Sequence, residues 1–287
     1  MLWKKARPSD NVNDTRQGKE ARTLTGNTLG AGLVVIALAT VGLYSTSGIT
    51  PAPDPLIAAN MPAPSATVAI EPEKDLQLKF VQSVLGETED TWAQLFAQAG
   101  RHYLPPKLVV FDKDMSSQCG PASPASAPFY CPSSQQVYLD LEVFARLEQH
   151  FGPIAEFARA YIIAHEVGHH VQLELGISEP FEQALHNGEP VIGDGGLEVR
   201  SELQADCLAG VWAHHAQQRL DWLEPGDIEA ALQAATTFGD DNLQRQQNGP
   251  IRPETFAHGT SEQRANWFKT GFDTGRTDAC DTFAATL

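Results

Sequence analysis

The sequence contains few basic residues for its length. Its 287 residues include 20 Lys and Arg against 36 Asp and Glu, which gives a formal net charge of −16. Proteins that bind nucleic acid need clustered Lys and Arg to contact the phosphates. The composition therefore argues against a nucleic acid partner. The hydrophobic share of 42% and the aromatic share of 8% are typical of a packed globular core.

Cysteine is also scarce, and no Cys-x-x-Cys motif is present. The four cysteines are Cys119, Cys131, Cys207 and Cys280. An even number predicts two disulfides in an oxidising compartment, whereas the same number in the cytosol would predict nothing. The short separation favours a Cys119–Cys131 bond, which leaves Cys207–Cys280 by elimination. Buried free thiols are the alternative.

Charge is absent from a long stretch near the N-terminus, residues 23–53. Its apolar core, residues 29–44, spans a bilayer once its uncharged flanks are counted, since a span needs roughly 17–25 residues. Basic residues lie nearby only on the N-terminal side, so the N-terminus is predicted in the cytoplasm and the rest outside. The sequence thus predicts a basic cytoplasmic tail over residues 1–22 and a transmembrane anchor over residues 23–48. A cleaved signal peptide with a site at Ser45–Ser47 is the alternative, and the length of the apolar run favours the anchor.

The remaining chain divides into a Pro-rich linker, residues 49–73, and a folded domain, residues 74–287. A linker rich in Pro, Ala and Ser is extended and joins no core. In the folded domain, apolar spacing predicts two strands, residues 107–111 and 136–141, as a hairpin whose loop carries a disulfide. Residues 178–196 are expected to be rich in loops. Helices are predicted over residues 75–99, 154–175, 197–220, 227–238 and 261–269. The predicted class is α+β, with helices dominant.

The motif His-Glu-x-x-His stands in the predicted helix over residues 154–175. His165 and His169 are four residues apart and share one helix face, so both imidazoles can reach one metal ion. Catalytic zinc takes three protein ligands and leaves one position for water. Glu166, beside the histidines, is the predicted general base. The alternative is a core helix that carries the motif by chance.

A third ligand is predicted from the next helix, where Glu202 and Asp206 are also four residues apart. Glu202 completes the set of ligands for one Zn²⁺. Asp206 is then expected to accept a hydrogen bond from the outer ring nitrogen of a zinc-bound histidine. No third histidine follows the motif at the metzincin spacing. The competing third ligands are Asp194, His186, His214 and His258.

Several segments resemble one known family. Residues 165–172, 202–212 and 258–264, together with residues 9–12 and 129–132, are similar to the bacterial putative neutral zinc metallopeptidase family. The resemblance covers nearly the whole chain outside the linker. It implies a mostly helical zincin-like domain anchored by a single membrane span, with Glu202 as third ligand. By similarity to related membrane-associated zinc peptidases, His258 is expected to donate a hydrogen bond to an oxyanion. The alternative for His258 is a turn residue capping Thr260 or Ser261.

These observations together predict a zinc endopeptidase anchored in the inner membrane of a bacterium, with its catalytic domain in the periplasm. Its substrate would be a peptide or protein, added as an extra strand beside residues 136–141. One alternative is an envelope protein in which zinc has only a structural role. Another is a zinc amidase that acts on cell-wall peptides.

Overall fold

The fold was analysed in a computed structural model that describes residues 1–16, 36–37, 71–124, 126–247 and 249–287. These residues form an α+β fold in which helices predominate, as predicted. The helices are α1 (Glu71–Gln98), α2 (Glu142–Phe151), α3 (Glu156–Leu175), α4 (Glu179–His186), α5 (Leu197–Leu220), α6 (Asp227–Thr237), α7 (Asp240–Gln246) and α8 (Ser261–Thr274).

A five-stranded mixed sheet lies against the helices, with strand order β1-β3-β7-β6-β2. Strands β1, β3 and β7 are parallel neighbours, whereas β6 runs antiparallel to both β7 and β2. The predicted hairpin of residues 107–111 with 136–141 is therefore wrong, because β3 and β7 are parallel and joined by a long crossover. The strands are β1 (Val12–Asp14), β2 (Ile36–Ala37), β3 (Lys107–Phe111), β4 (Met115–Ser117), β5 (Gly120–Ala122), β6 (Phe129–Cys131) and β7 (Gln136–Asp140).

Helix α3 is the central helix of the fold, and most of its residues from Phe157 to Gln172 are buried. It ends at Gly176, whose φ of 75° is the left-handed conformation that glycine adopts without strain. Gly168 permits a close approach to α5, since a Cβ at this position would lie 2.9 Å from the carbonyl oxygen of Ala205. The close approach places the motif on α3 opposite Glu202 on α5.

The N-terminal residues belong to the folded domain, which corrects the prediction of a separate tail over residues 1–22. Trp3 is buried with its ring edge-on to Phe80, and β1 pairs with β3. The hydroxyl of Ser9 donates to Glu89 of α1 at 2.6 Å. A single membrane crossing between residues 16 and 71 would put these packed regions on opposite sides. The predicted arrangement, N-terminus in the cytoplasm and domain outside, therefore disagrees with the packing.

The predicted anchor, residues 23–48, lies outside the described residues except for β2. At Ile36 and Ala37 the backbone pairs with β6 and is extended, not helical. Within the described ranges, no helix has both the length and the apolar character needed to cross a membrane. Most of the predicted linker, residues 49–70, also lies outside those ranges, and residues 71–73 begin α1.

Both predicted disulfides are formed. Cys119 is bonded to Cys131, and Cys207 of α5 is bonded to Cys280 near the C-terminus. The loop-rich assignment of residues 178–196 was wrong over α4, an eight-residue helix with Pro180 in its first turn. Helix α8 begins with a capping box, in which Thr260 and Gln263 each bond the other's backbone N–H.

Candidate metal centre

Three buried side chains converge where α3 faces α5. His165, His169 and Glu202 each offer one ligand atom, and these atoms lie within 4.8 Å of one another. Nε2 of His165 is 3.0 Å from one carboxylate oxygen of Glu202, and Nε2 of His169 is 3.4 Å from the other. The exposed fractions of the three residues are 1%, 3% and 2%. The structure thus brings together the three ligands that the sequence predicted.

The competing third ligands are not part of this cluster. Among the described residues, His165, His169 and Glu202 form the single group of three or more side chains placed to hold a metal ion. His214 lies elsewhere, with Nδ1 2.7 Å from the carbonyl oxygen of Phe272, and Asp194 accepts from Gln263. His170 points away from the centre, since its two ring nitrogens bond Tyr130 and the carbonyl of Leu104.

The outer nitrogen of His165 is held by charged partners. Its Nδ1–H donates to Asp206 at 2.8 Å, and Asp206 also accepts from the hydroxyl of Tyr161 at 2.5 Å. Arg264 donates to both oxygens of Asp206, at 2.8 and 3.0 Å. Burial alone would raise the pKa of Asp206, but Arg264 and His165 outweigh it and lower the pKa to about 2. Asp206 is therefore an ionised partner of His165, in the position that the sequence predicted.

The outer nitrogen of His169 is held by a neutral partner. Its Nδ1–H donates to the side-chain oxygen of Gln172 at 2.9 Å. The amide of Gln172 donates to the carbonyl of Ser201 at 2.7 Å and to Gln204 at 3.0 Å, which fixes its orientation. Because Nδ1 of each histidine donates outward, Nε2 of each is left facing the centre.

Glu166 lies beside the histidines and is almost completely buried. Neither of its carboxylate oxygens is hydrogen-bonded to another side chain. Burial raises its pKa to about 8, although the charge on His165 and the backbone N–H of Tyr130 work in the opposite direction. Burying a carboxyl group without a side-chain partner is costly.

His258 approaches the centre from the loop before α8. Its Nδ1–H donates to Asp240 at 3.0 Å, and the other oxygen of Asp240 accepts the backbone N–H groups of Ala257, His258 and Gly259. Burial would lower the pKa of His258, but the carboxylate of Asp240 outweighs it and raises the pKa to about 9. Asp240 therefore holds the imidazole of His258 in one orientation.

Four residues of this region were missed by the sequence analysis as partners of the centre: Gln172, Gln204, Asp240 and Glu198. Glu198 lies one turn before Glu202 on α5, and burial raises its pKa to about 8. Gln172 carried a usable signal, because it is three residues after His169 and hence on the same helix face. Asp240 carried none, since it stands 18 residues from His258 in sequence.

The predicted site for an added substrate strand is wrong for β7. Both edges of β7 are occupied, one by β3 and the other by β6. A peptide can join a sheet only at a strand with unpaired backbone groups. The strand nearest to the metal helix is β6, whose Tyr130 bonds His170 of α3.

The donor set fits zinc. Two imidazoles and one carboxylate form a common protein ligand set of hydrolytic zinc sites. Burial would raise the pKa of Glu202, but His169 and His165 outweigh it and lower the pKa well below its usual range, so the carboxylate is ionised. Burial lowers the pKa of His165 and the carboxylates of Asp206 and Glu202 raise it, to about 10 overall without a metal. These three side chains define a candidate site for a divalent metal ion.

Comparison with known proteins agrees with this class of site. The description "Putative neutral zinc metallopeptidase" belongs to the family whose profile matches residues 1–283, and the chain is a member of that family. Uncharacterized protein YpfJ of Escherichia coli K12 is 40% identical over 296 residues and is covered completely, as is this chain. Uncharacterized protein Mb2605 of Mycobacterium bovis is 42% identical over 193 residues, which are 64% of each chain. No solved structure matches the chain.

Proposed function

We propose that this protein is a zinc-dependent endopeptidase of the glutamate-zincin type. The observation that carries the proposal is the buried cluster of His165, His169 and Glu202 with the buried carboxyl group of Glu166 beside it. The three side chains would hold one zinc ion. Zinc supplies Lewis acidity at this position, which polarises a carbonyl group and acidifies water at neutral pH.

The chain's own residues supply the proton transfers in this proposal. Glu166 takes a proton from the attacking water and delivers it to the leaving amine. His258, charged and held by Asp240, donates a hydrogen bond to the oxyanion that develops on the substrate carbonyl. Asp206 and Gln172 hold the two histidines in orientation.

The number of ligands favours catalysis over a structural role for zinc. Structural zinc sites are closed by four protein ligands, whereas catalytic sites keep one position open. Within the described part of the chain the cluster contains three ligands. A fourth protein ligand found in a zinc-loaded crystal structure would support the structural alternative.

Substitution of the general base tests the proposal. We expect Glu166→Gln to retain zinc, measured by elemental analysis, and to lose hydrolysis of an unfolded protein by about 100-fold or more, because general-base catalysis contributes typically 10²–10⁴-fold. Glu174→Gln, on the same helix, is the matched control and should keep full activity. Equal hydrolysis by wild type and Glu166→Gln would refute the assigned role. Hydrolysis of cell-wall peptides alone would point to the amidase alternative.

Membrane attachment through the uncharged residues 23–53 is part of the proposal, with residues 1–16 and 71–287 on one side of the membrane because they pack together. Its test is fractionation of cells that express the full chain. Recovery of the protein in membranes washed at high pH would support attachment, and recovery in the soluble fraction would refute it.

A further inference from the structure

A chain of side-chain amides leads from His169 to the C-terminal segment, residues 277–285. His169 donates to Gln172, Gln172 donates to Gln204 at 3.0 Å, and Gln204 donates to the backbone carbonyl of Cys280 at 2.8 Å. Gln172 and Gln204 are buried, with exposed fractions of 1% and 4%. We refer to Gln172 and Gln204 as the amide relay.

The amide relay has a fixed direction. A backbone carbonyl only accepts hydrogen bonds, so Gln204 must turn its NH₂ group toward Cys280 and its oxygen toward Gln172. Gln172 must then present its NH₂ group to Gln204 and its oxygen to His169. The carbonyl of Ser201 fixes the same orientation of Gln172 directly, and the carbonyl of Cys280 supports it through Gln204. Loss of the Cys280 carbonyl would free Gln204 to rotate and would leave Gln172 held by Ser201 alone.

The position of this carbonyl is fixed by α5 from both sides. Cys280 is bonded to Cys207, which stands three residues after Gln204. Arg200, four residues before Gln204, donates to the carbonyls of Thr282, Phe283 and Ala285. The hydroxyl of Thr282 donates back to the carbonyl of Arg200 at 2.6 Å. The segment thus cannot shift along α5 while these bonds hold.

We propose that Gln172 and Gln204 are positioning residues through which the C-terminal segment, together with the carbonyl of Ser201, orients His169 as a metal ligand, with the Cys207–Cys280 disulfide holding the segment in place. This inference rests on the proposed metal site. It extends that site to Cys280, about 80 residues beyond the ligand Glu202, because Gln204 donates to the carbonyl of Cys280. The Cys119–Cys131 disulfide, which lies in the sheet region, has no part in the relay.

The test is the zinc affinity of the full chain, measured by competition with a chromogenic chelator. We expect Gln204→Met, which retains the disulfide, to bind zinc about 5-fold more weakly than wild type, which is less than the 10–100-fold expected when the direct partner of a ligand is lost. The Cys207→Ser/Cys280→Ser variant should show a similar loss. Cys119→Ser/Cys131→Ser is the matched control and should bind zinc within about twofold of wild type, since its sulfurs do not touch the relay.

Substitution of zinc by cobalt distinguishes a change in the orientation of His169 from a general loss of stability. The visible absorption of bound Co²⁺ reports ligand geometry, so Gln204→Met should change the spectrum at a temperature where the variant is fully folded. Unchanged affinity and spectrum in Gln204→Met would overturn this inference alone, whether or not the cysteine variant folds. Absence of zinc binding in wild type would overturn the proposed metal site and this inference with it.

Discussion

His165 and His169 stand one helical turn apart on α3, yet their outer nitrogens are held by different chemistry. His165 donates to the ionised Asp206, which is paired in turn with the buried Arg264. His169 donates to the neutral amide of Gln172, and the bonds continue through neutral groups to Cys280. The two ligands would therefore respond differently to substitution of their partners.

The comparison shows how a buried site can make one histidine ligand more basic without adding net negative charge. The carboxylate of Asp206 makes His165 a stronger base, and Arg264 offsets the negative charge that the carboxylate brings. A second ionised pair on the His169 side would need another buried cation. An amide relay holds His169 at no electrostatic cost, but it must satisfy every donor and acceptor.

Loss of Asp206, the charged partner of His165, should have the largest effect on stability and zinc affinity. We expect Asp206→Asn to lower the free energy of unfolding of the zinc-free protein by about 3–5 kcal/mol, because it leaves the buried Arg264 without its anionic partner. Zinc affinity should also fall by 10–100-fold. Urea unfolding and chelator competition measure the two quantities.

A second substitution tests the reason for that loss. Arg264→Met in the Asp206→Asn background removes the stranded cation and should recover part of the stability without restoring zinc affinity. A double variant no more stable than Asp206→Asn would show that the buried charge is not the cause.

Loss of Gln172, the neutral partner of His169, should have an intermediate effect on stability and zinc affinity. We expect Gln172→Met, of similar shape, to lower the free energy of unfolding by about 1–3 kcal/mol, because buried groups of Ser201 and Gln204 lose their partner. Zinc affinity should fall about 10-fold. A loss of stability as large as that of Asp206→Asn would remove the contrast between the two sides. The same urea and chelator experiments decide it.

A third histidine, His258, can be compared with the two ligands. Its pairing with Asp240 should have the smallest effect on stability, and this effect depends on pH. Its pKa of about 9 in the fold lies above the usual value near 6.5, so its pairing with Asp240 stabilises the fold fully below pH 6.5. That stability is lost as pH rises through 9. In zinc-free protein, Asp240→Asn should lower the pKa of His258 by one unit or more, worth about 1.4 kcal/mol per unit. Histidine NMR titration measures the shift.

The neighbouring residue offers a control for this titration. Asp241→Asn carries the same change one position away, where the carboxylate accepts from Ser261 instead of His258. It should leave the pKa of His258 near 9. A fall of equal size in both variants would mean that Asp240 is not the specific cause.

Local sequence patterns predicted the helices and the side chains that share a helix face, because both depend on residues close together in the sequence. Apolar spacing and Gly176 placed the metal helix at 154–175, against Glu156–Leu175 in the structure. The four-residue spacing of the histidines and of Glu202 and Asp206 identified side chains that share helix faces. Helix geometry fixes such relations regardless of the rest of the chain.

Relations between distant segments could not be predicted in this way. Residues 1–22 were predicted to be a basic tail because they hold more Lys and Arg than Asp and Glu, yet Trp3 is buried and β1 pairs with β3. The parallel pairing of β3 with β7 has no local signal, since each strand alone fits a hairpin equally well. The amide relay also could not be predicted, because no sequence motif indicates which residue a buried glutamine contacts.

The contacts of the C-terminal segment also bear on the order in which the protein matures. A ribosome releases the chain from its N-terminal end, so His165, His169 and Glu202 emerge before Arg264 and Cys280. The partner of Asp206 and the anchor of the amide relay are therefore the last parts of the centre to be synthesised. A nascent chain would carry all three ligands together with Asp206 and Gln172 before Arg264 and Cys280 add their contacts to Asp206 and Gln204. The centre would then gain its full set of supporting contacts only after all of its ligands have been synthesised.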